Sequence, residues 1–181
     1  DREVVDYMDG AQLVLHRPQP QEVAIVCDDS WEGHAPGYPT VFQDGDRYRM
    51  YYRAMPEGGT EDANERQVTC YAESDDGIHW RKPTVGLIEQ DGSTENNILF
   101  KGVISHNLTP FLDEHPDCIE DQRYKAVGGV KWKSEGLWAL VSADGIHWKK
   151  LGDKPLSFPG NFDSQNLIFW DRYSGLYRAH W

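Results

Sequence analysis

The sequence of 181 residues has few cysteines, few basic residues and no long apolar run. Its three cysteines, Cys27, Cys70 and Cys118, lie far apart and form no Cys-x-x-Cys pair. This sparse, odd-numbered set predicts neither a disulfide framework nor a zinc site, and reduced thiols favour the cytoplasm. No stretch reaches the roughly 18 apolar residues of a membrane-spanning helix, and no signal peptide is visible.

Positive charge is also scarce, because 18 Lys and Arg residues stand against 30 Asp and Glu, a formal net charge of −12. Such an excess repels phosphate backbones and anionic lipids, so we expect neither nucleic acid nor a membrane as partner. The charge favours solubility and is compatible with neutral sugars or with metal ions. Aromatic residues are abundant at 12%, and together with many glycines they favour β structure.

The sequence also contains an internal repeat. The heptapeptide SDDGIHW at 74–80 returns as SADGIHW at 142–148. Its Ser and Asp side chains can accept hydrogen bonds from nearby backbone N–H groups, and its glycine permits positive φ, so the pattern predicts a tight turn. The tryptophan that ends it is predicted to pack between repeats. A catalytic or metal site made of Asp75, Asp76 and His79 is the weaker interpretation, because an active site has no reason to recur.

Three longer segments share a second pattern: 38–52, 107–127 and 165–181. Each has an apolar run, an Asp, a turn, and then Tyr followed by Arg or Lys, which predicts a β-hairpin. A third strand, the heptapeptide turn and a short fourth strand follow. The fourth strand has the sequence WRKP in the first unit and WKKL in the second. Four-stranded antiparallel units repeated at roughly 60 to 70 residues are typical of β-propeller blades.

We therefore expect one all-β domain over 1–181, a β-propeller with blade one at about 38–83, blade two at about 97–151 and blade three starting at about 163–181. Residues 11–27 are predicted to form two short strands, and 56–66 an excursion between strands. A propeller needs at least about four blades. A missing C-terminal half of a longer protein, or a homodimer, is then expected to complete it.

The SxDGxHW turns and the hairpin DGDRYRMYYR resemble those of the five-bladed β-propeller glycoside hydrolases, the superfamily of families 32, 43, 62 and 68. The resemblance covers nearly the whole sequence and the N-terminal half of such a domain. It implies a propeller of five blades when complete, and hydrolysis by carboxylates at the mouth of the central channel. Such chemistry requires one ionised carboxylate and one protonated carboxylic acid.

The repeat directs attention to polar segments that differ among the units. Asp44, Asp113 and Asp171 occupy equivalent turn positions, so they are expected to be structural. The segments CDDSWEGHA, SHN and FDSQN are not repeated. Carried over from the family, Asp28 or Asp29 corresponds to the base or nucleophile and Asp163 to the acid. The predicted sugar-binding residues are Trp31, Glu32, His34, Tyr38, His106, Asn107, Gln165 and Asn166.

This sequence departs from the family in three places: it lacks the WMNDPNG box, has His106 and Asn107 where the second blade presents Asp, and has Asp163 where the third presents Glu. Turn formation, surface charge or core packing remain alternative explanations for each candidate. The primary hypothesis is a glycosidase acting on a carbohydrate without a cofactor. A non-catalytic carbohydrate-binding propeller is the first alternative. A divalent metal, structural or catalytic, held by His34 and His106 is the second.

Overall fold

The computed structural model describes residues 7, 9–12, 14–58 and 62–181. These residues form short strands joined by turns, with two α-helices of four residues each and two 3₁₀ helices of three residues each, Val103–Ser105 and Glu120–Gln122. The strands are β1 Gly37–Asp44, β2 Arg47–Ala54, β3 Val68–Ser74, β4 Ile98–Lys101, β5 Thr109–Leu112, β6 Tyr124–Gly128, β7 Trp138–Ser142, β8 Lys149–Lys150, β9 Leu167–Asp171 and β10 Leu176–His180. The α-helices are α1 Ala63–Arg66 and α2 Lys131–Ser134.

The strands form three antiparallel sheets. Sheet one has the order β1-β2-β3-β4, sheet two the order β5-β6-β7-β8, and β9 pairs with β10 in a hairpin. The prediction of an all-β fold with four-stranded antiparallel sheets is confirmed. No helix in the described parts of the protein is long and apolar enough to cross a membrane.

The fourth strand of sheet one differs from the prediction. Within the segment WRKP only Arg81 pairs with β3, through a single bridge to Glu73. Pro83 has no N–H to extend that ladder, and the Lys82 side chain turns inward to an ion pair. The backbone leaves the sheet and returns as β4, so residues 98–101, predicted to belong to the second unit, pair with β3. In sheet two, β8 lies within WKKL as predicted.

The N-terminal segment covers one face of sheet one. No strand occurs among the described residues of 11–27, where two were predicted, and Leu13 lies outside the described residues. Instead, Ile25, Cys27 and Trp31 pack against the apolar cluster that contains Tyr52. An extended segment without a strand partner thus closes the core here. In the predicted excursion 56–66, residues 59–61 lie outside the described residues, and the remainder ends in α1.

The opposite face of sheet one packs against sheet two. The rings of Tyr51 and Trp148 meet edge to face, with centroids 6.2 Å apart. The Tyr51 hydroxyl donates to the carbonyl of Gly145 over 3.1 Å, so β2 contacts the second heptapeptide turn directly. Burial of these aromatic rings stabilises the junction between the sheets.

Both heptapeptides form the same turn. In the second, the Ser142 hydroxyl oxygen accepts from the Gly145 amide at 2.9 Å, and Asp144 Oδ1 accepts from the His147 amide at 2.8 Å. The Trp148 indole donates to the Gly145 carbonyl over 3.1 Å. The first heptapeptide makes the same bonds. The Asp and His side chains therefore stabilise turns, and neither turn forms an active site.

Hydrogen bonds from tyrosines join neighbouring sheets. The Tyr124 hydroxyl of sheet two donates to Asp44 of sheet one over 2.6 Å. The Tyr177 hydroxyl of β10 donates to Asp113 of sheet two over 2.8 Å. Lys125 also pairs with Asp113, whose side chain is fully buried. The turn aspartates Asp44 and Asp113 are structural, as the repeat predicted.

Candidate functional site

Two polar clusters lie where β2 ends. We call them the lysine cluster, made of Asp28, Asp29, Glu32 and Lys82, and the histidine cluster, made of Arg53, Gln67, His106, Asn107 and Asp163. Each adjoins the same strand end: the Met55 amide donates to the Glu32 carbonyl over 3.2 Å, and Arg53 belongs to β2 itself. Together they contain most of the residues that the sequence marked.

The lysine cluster is held together by one ammonium group. Lys82 Nζ lies 2.8 Å from Glu32, 2.9 Å from Asp29 and 3.9 Å from Asp28. Burial disfavours this charge, but the hydrogen bonds that the ammonium donates to Glu32 and Asp29 outweigh it and raise the pKa of Lys82. These three carboxylates have metal-ligand spacing. The Lys82 ammonium contacts Asp29 and Glu32 and supplies the countercharge that a cation would bring.

Glu32 belongs to a buried network. Its side chain has no exposed surface, accepts from the Tyr52 hydroxyl, and accepts from the Asp29 amide at 2.9 Å. Burial raises the pKa of Tyr52, which keeps its hydroxyl protonated as a donor. Asn97 donates to the Tyr52 oxygen over 2.9 Å and accepts from the Trp31 indole at 2.8 Å. Glu32, predicted to bind sugar, is therefore inaccessible and internally paired.

Asp28, Asp29 and His34 of the segment CDDSWEGHA are more accessible than Glu32. The side chain of Asp28 is 77% exposed and that of Asp29 is 36% exposed. His34 pairs through Nδ1 with Glu57 over 2.9 Å at the surface. In the part of the protein that the structure describes, no group of three metal-ligating side chains includes His34 or His106. The described residues thus place one carboxylate beside each of these histidines but no three-ligand set around either.

The histidine cluster centres on a buried imidazole. His106 is 8% exposed, and its Nδ1 lies 3.0 Å from the side-chain oxygen of Gln67. Its Nε2 has no hydrogen-bond partner and lies 3.6 Å from Asp163 Oδ1. Burial lowers the pKa of His106, and the nearby charge of Arg53 lowers it further. The ring therefore favours the neutral form.

Asn107 holds the segments of this cluster in place. It is 1% exposed, with φ of +54°, a conformation that Asn tolerates better than most residues. Its oxygen accepts from Arg53 over 3.1 Å, and its amide donates to the Asp163 carbonyl over 3.3 Å. The Asp163 carboxylate itself is 71% exposed. Asn107 therefore positions Asp163, and its burial argues against the predicted direct contact with sugar.

Tyr38 lies at the start of β1 beside the same cluster. Its ring centroid is 4.8 Å from the Arg53 guanidinium, and the residue is 36% exposed. Gln165 donates to Thr40 over 3.0 Å, which fixes the segment before β9 against β1. Asn166, at 2% exposure, donates to the Ser164 carbonyl over 2.8 Å. Asn166 thus shapes a turn, whereas Tyr38 presents a ring to solvent.

The structure separates the predicted site into these two groups. Tyr38, His106, Asn107 and Asp163 meet around Arg53, whereas the acidic residues of CDDSWEGHA gather around Lys82. Sequence reasoning missed three participants: Arg53, Gln67 and Lys82. Gln67 and Lys82 gave no local signal, because their partners lie 39 and 50 residues away.

Comparison with known proteins gives relatives at low identity. No protein-family model matches the sequence. The uncharacterized proteins Rv1502 and MT1551 of two Mycobacterium tuberculosis strains are each 27% identical over 147 residues, which cover 80% of this chain and 44% of theirs. The chain thus spans less than half the length of these curated relatives.

Two solved structures share the fold. One, described as "Glycoside hydrolase", superposes with a TM-score of 0.51 at 18% identity, covering 83% of this chain and 47% of that protein. Another, described as a complex of BT0996 and RGII, gives 0.50 at 19% identity, covering 82% and 47%. At such identities the likeness concerns the fold alone. This protein therefore has a glycoside-hydrolase-like fold.

Proposed function

We propose that this protein is part of a five-bladed β-propeller that binds a carbohydrate at the histidine cluster and hydrolyses a glycosidic bond there. Sheets one and two are two of the blades, and β9 and β10 begin a third. The shared heptapeptide turns and the repeated Tyr–Asp hydrogen bonds between sheets support this arrangement. Further sequence or a second copy supplies the remaining blades.

The observation that carries the proposal is an imidazole nitrogen without a hydrogen-bond partner, beside an exposed carboxylate and an exposed aromatic ring. His106 Nε2 has no hydrogen-bond partner, and the neighbouring Asp163 carboxylate is largely exposed. Tyr38 lies across Arg53 from them. Sugars supply hydroxyl donors and apolar ring faces, which match acceptors next to an aromatic ring.

The carboxylates then have separate roles. Asp163 is the reacting carboxylate of the histidine cluster, because its side chain is accessible while its backbone is anchored by Asn107. Asp28 or Asp29 is the second carboxylate that glycoside hydrolysis requires. Lys82, which pairs with both Glu32 and Asp29, holds Asp29 in position.

Carbohydrate binding without turnover is the second candidate. Lys82 engages Asp29 and Glu32, so only Asp28 of this cluster is largely unpaired and exposed. A site with one free carboxylate in each cluster can bind a sugar without completing acid–base catalysis.

The test is a screen of the protein against a panel of oligosaccharides, with reducing-end release and binding by calorimetry measured in parallel. We expect Asp163→Asn to lower kcat by about 100-fold or more, the usual effect of removing a proton-transfer group. Asp46→Asn is the matched control, because Asp46 lies on an exposed turn remote from both clusters.

Each outcome selects between the candidates. Turnover that Asp163→Asn and the double change of Asp28 and Asp29 to Asn both leave intact would contradict the hydrolase assignment. Binding with no turnover across the panel would favour the second candidate. Neither binding nor turnover would remove the carbohydrate proposal altogether.

A further inference from the structure

A chain of hydrogen bonds connects the protein surface to His106. Asn64 donates through Nδ2 to Asp62 Oδ1 over 2.8 Å. Gln67 donates through Nε2 to Asn64 Oδ1 over 3.2 Å. Gln67 Oε1 lies 3.0 Å from His106 Nδ1. Gln67 is 1% exposed, so its amide has no solvent with which to exchange these partners.

Asp62, at the outer end of this chain, determines which group donates and which accepts in each hydrogen bond. A carboxylate only accepts, so the Asp62 oxygen requires the amino group of Asn64 to face it. Hydrogen bonds from Lys133 and Asn64 hold the pKa of Asp62 well below its usual range, so it remains ionised. The Asn64 oxygen must then face Gln67, and the Gln67 amino group must face Asn64. The Gln67 oxygen is left facing the imidazole, where it can only accept.

We propose that Gln67, oriented by Asn64 and Asp62, is a positioning residue that fixes His106 in the tautomer with its proton on Nδ1. The Nε2 lone pair is thereby directed towards Asp163, 3.6 Å away. Nε2 itself is buried, so a ligand donor would reach this pair of acceptors through the exposed Asp163 carboxylate. The identity of that ligand rests on the proposed function, whereas the tautomer does not.

The opposite tautomer conflicts with the same contacts. A proton on Nε2 would satisfy Asp163 but leave a lone pair on Nδ1, facing the Gln67 oxygen at 3.0 Å. A flip of the Gln67 amide would restore that contact and place two oxygens 3.2 Å apart, between Gln67 and Asn64. Either arrangement breaks the chain of hydrogen bonds between Asp62 and His106, and the tautomer with its proton on Nδ1 keeps that chain whole.

The experiment is two-bond nitrogen–proton correlation NMR on protein labelled with 15N-histidine, at pH 7.5 and without ligand. His106 is identified by the signals that disappear in His106→Gln. We expect a protonated Nδ1 and an unprotonated Nε2. Gln67→Met removes the acceptor and is expected to move the proton to Nε2, whereas Gln67→Glu keeps an acceptor and keeps Nδ1 protonated.

Asn64→Ala provides a second test at a partly exposed position. It releases the Gln67 amide to flip and is expected to give a mixture of the two tautomers, even if Gln67→Met does not fold. A wild-type His106 with its proton on Nε2 would overturn the proposal. So would spectra in which Gln67→Met and Asn64→Ala both match the wild type. Because no sugar is present, failure of the carbohydrate assignment would not affect this result.

Discussion

The hydroxyl of Tyr124 donates a hydrogen bond of 2.6 Å to the carboxylate of Asp44, and this bond joins the second sheet to the first. Burial disfavours the Asp44 charge, but hydrogen bonds from Tyr124 and Arg49 outweigh it, and the pKa of Asp44 is lowered. The acceptor is thus an ionised group in a largely buried position. Hydrogen bonds of this kind are stronger than those between neutral groups.

Removing this hydroxyl is expected to weaken the junction between the sheets. Tyr124→Phe should lower the free energy of unfolding by about 1.5–3 kcal/mol, the range for hydrogen bonds to charged groups. Tyr48→Phe is the control, because Tyr48 occupies the equivalent place in β2 and its hydroxyl has no hydrogen bond among the described residues. It should change stability by less than about 0.5 kcal/mol. Equal losses in urea unfolding would contradict the structural role of the Tyr124 hydroxyl.

The two heptapeptide glycines should respond differently to the same substitution. Both have φ of +76°, so Gly→Ala costs about 1–2 kcal/mol of backbone strain at either position. At Gly145 an added Cβ would lie 2.7 Å from the Tyr51 hydroxyl oxygen and 3.0 Å from Arg49 Nη1, whereas at Gly77 the nearest atoms are 3.6 Å away in the Tyr48 ring. Gly145→Ala should therefore be the more destabilising change.

Chemical denaturation of the two Gly→Ala variants measures that difference directly. The prediction is wrong if Gly77→Ala loses as much stability as Gly145→Ala, because the backbone strain is common to both positions and only the space for the added Cβ differs.

Lys82 is expected to be essential for stability because it neutralises a fully buried carboxylate. Lys82→Met leaves Glu32 without its countercharge, and breaking such a buried pair typically costs about 3–5 kcal/mol. Adding Glu32→Gln removes the unpaired charge and should recover part of the loss. Thermal unfolding of the single and double variants decides the matter: a double variant less stable than Lys82→Met would show that the charge on Glu32 is not the cause.

The predictable parts of this fold were those encoded locally. The heptapeptide turns and the hairpins depend on residues within a few positions of one another, so the repeat located them. The partner of β3 was mispredicted, because the choice between 80–83 and 98–101 depends on where Lys82 finds its counter-ion. Glu32 was predicted as accessible because its burial under the N-terminal segment involves partners far along the sequence.

The candidate site was likewise predictable only where it depends on local sequence. The unrepeated polar segments marked His106 and Asp163, which the structure brings within 3.6 Å of each other. Their pairing with Arg53 and Gln67 requires knowledge of how the end of β2 and the start of β3 approach the third unit. No pattern in the sequence specifies that approach, since each contact joins residues in different units.

The hydrogen bond between Tyr124 and Asp44 has its donor and acceptor in different units. The later unit contributes the tyrosine donor, and the earlier unit contributes the aspartate acceptor. Tyr177 and Asp113 repeat the relation one unit further on. A copy of the second unit carries both halves of the junction, so it can be inserted beside its parent without new complementary residues evolving. The junction thus uses the same donor and the same acceptor at each step, so its polar complementarity is contained within a single unit.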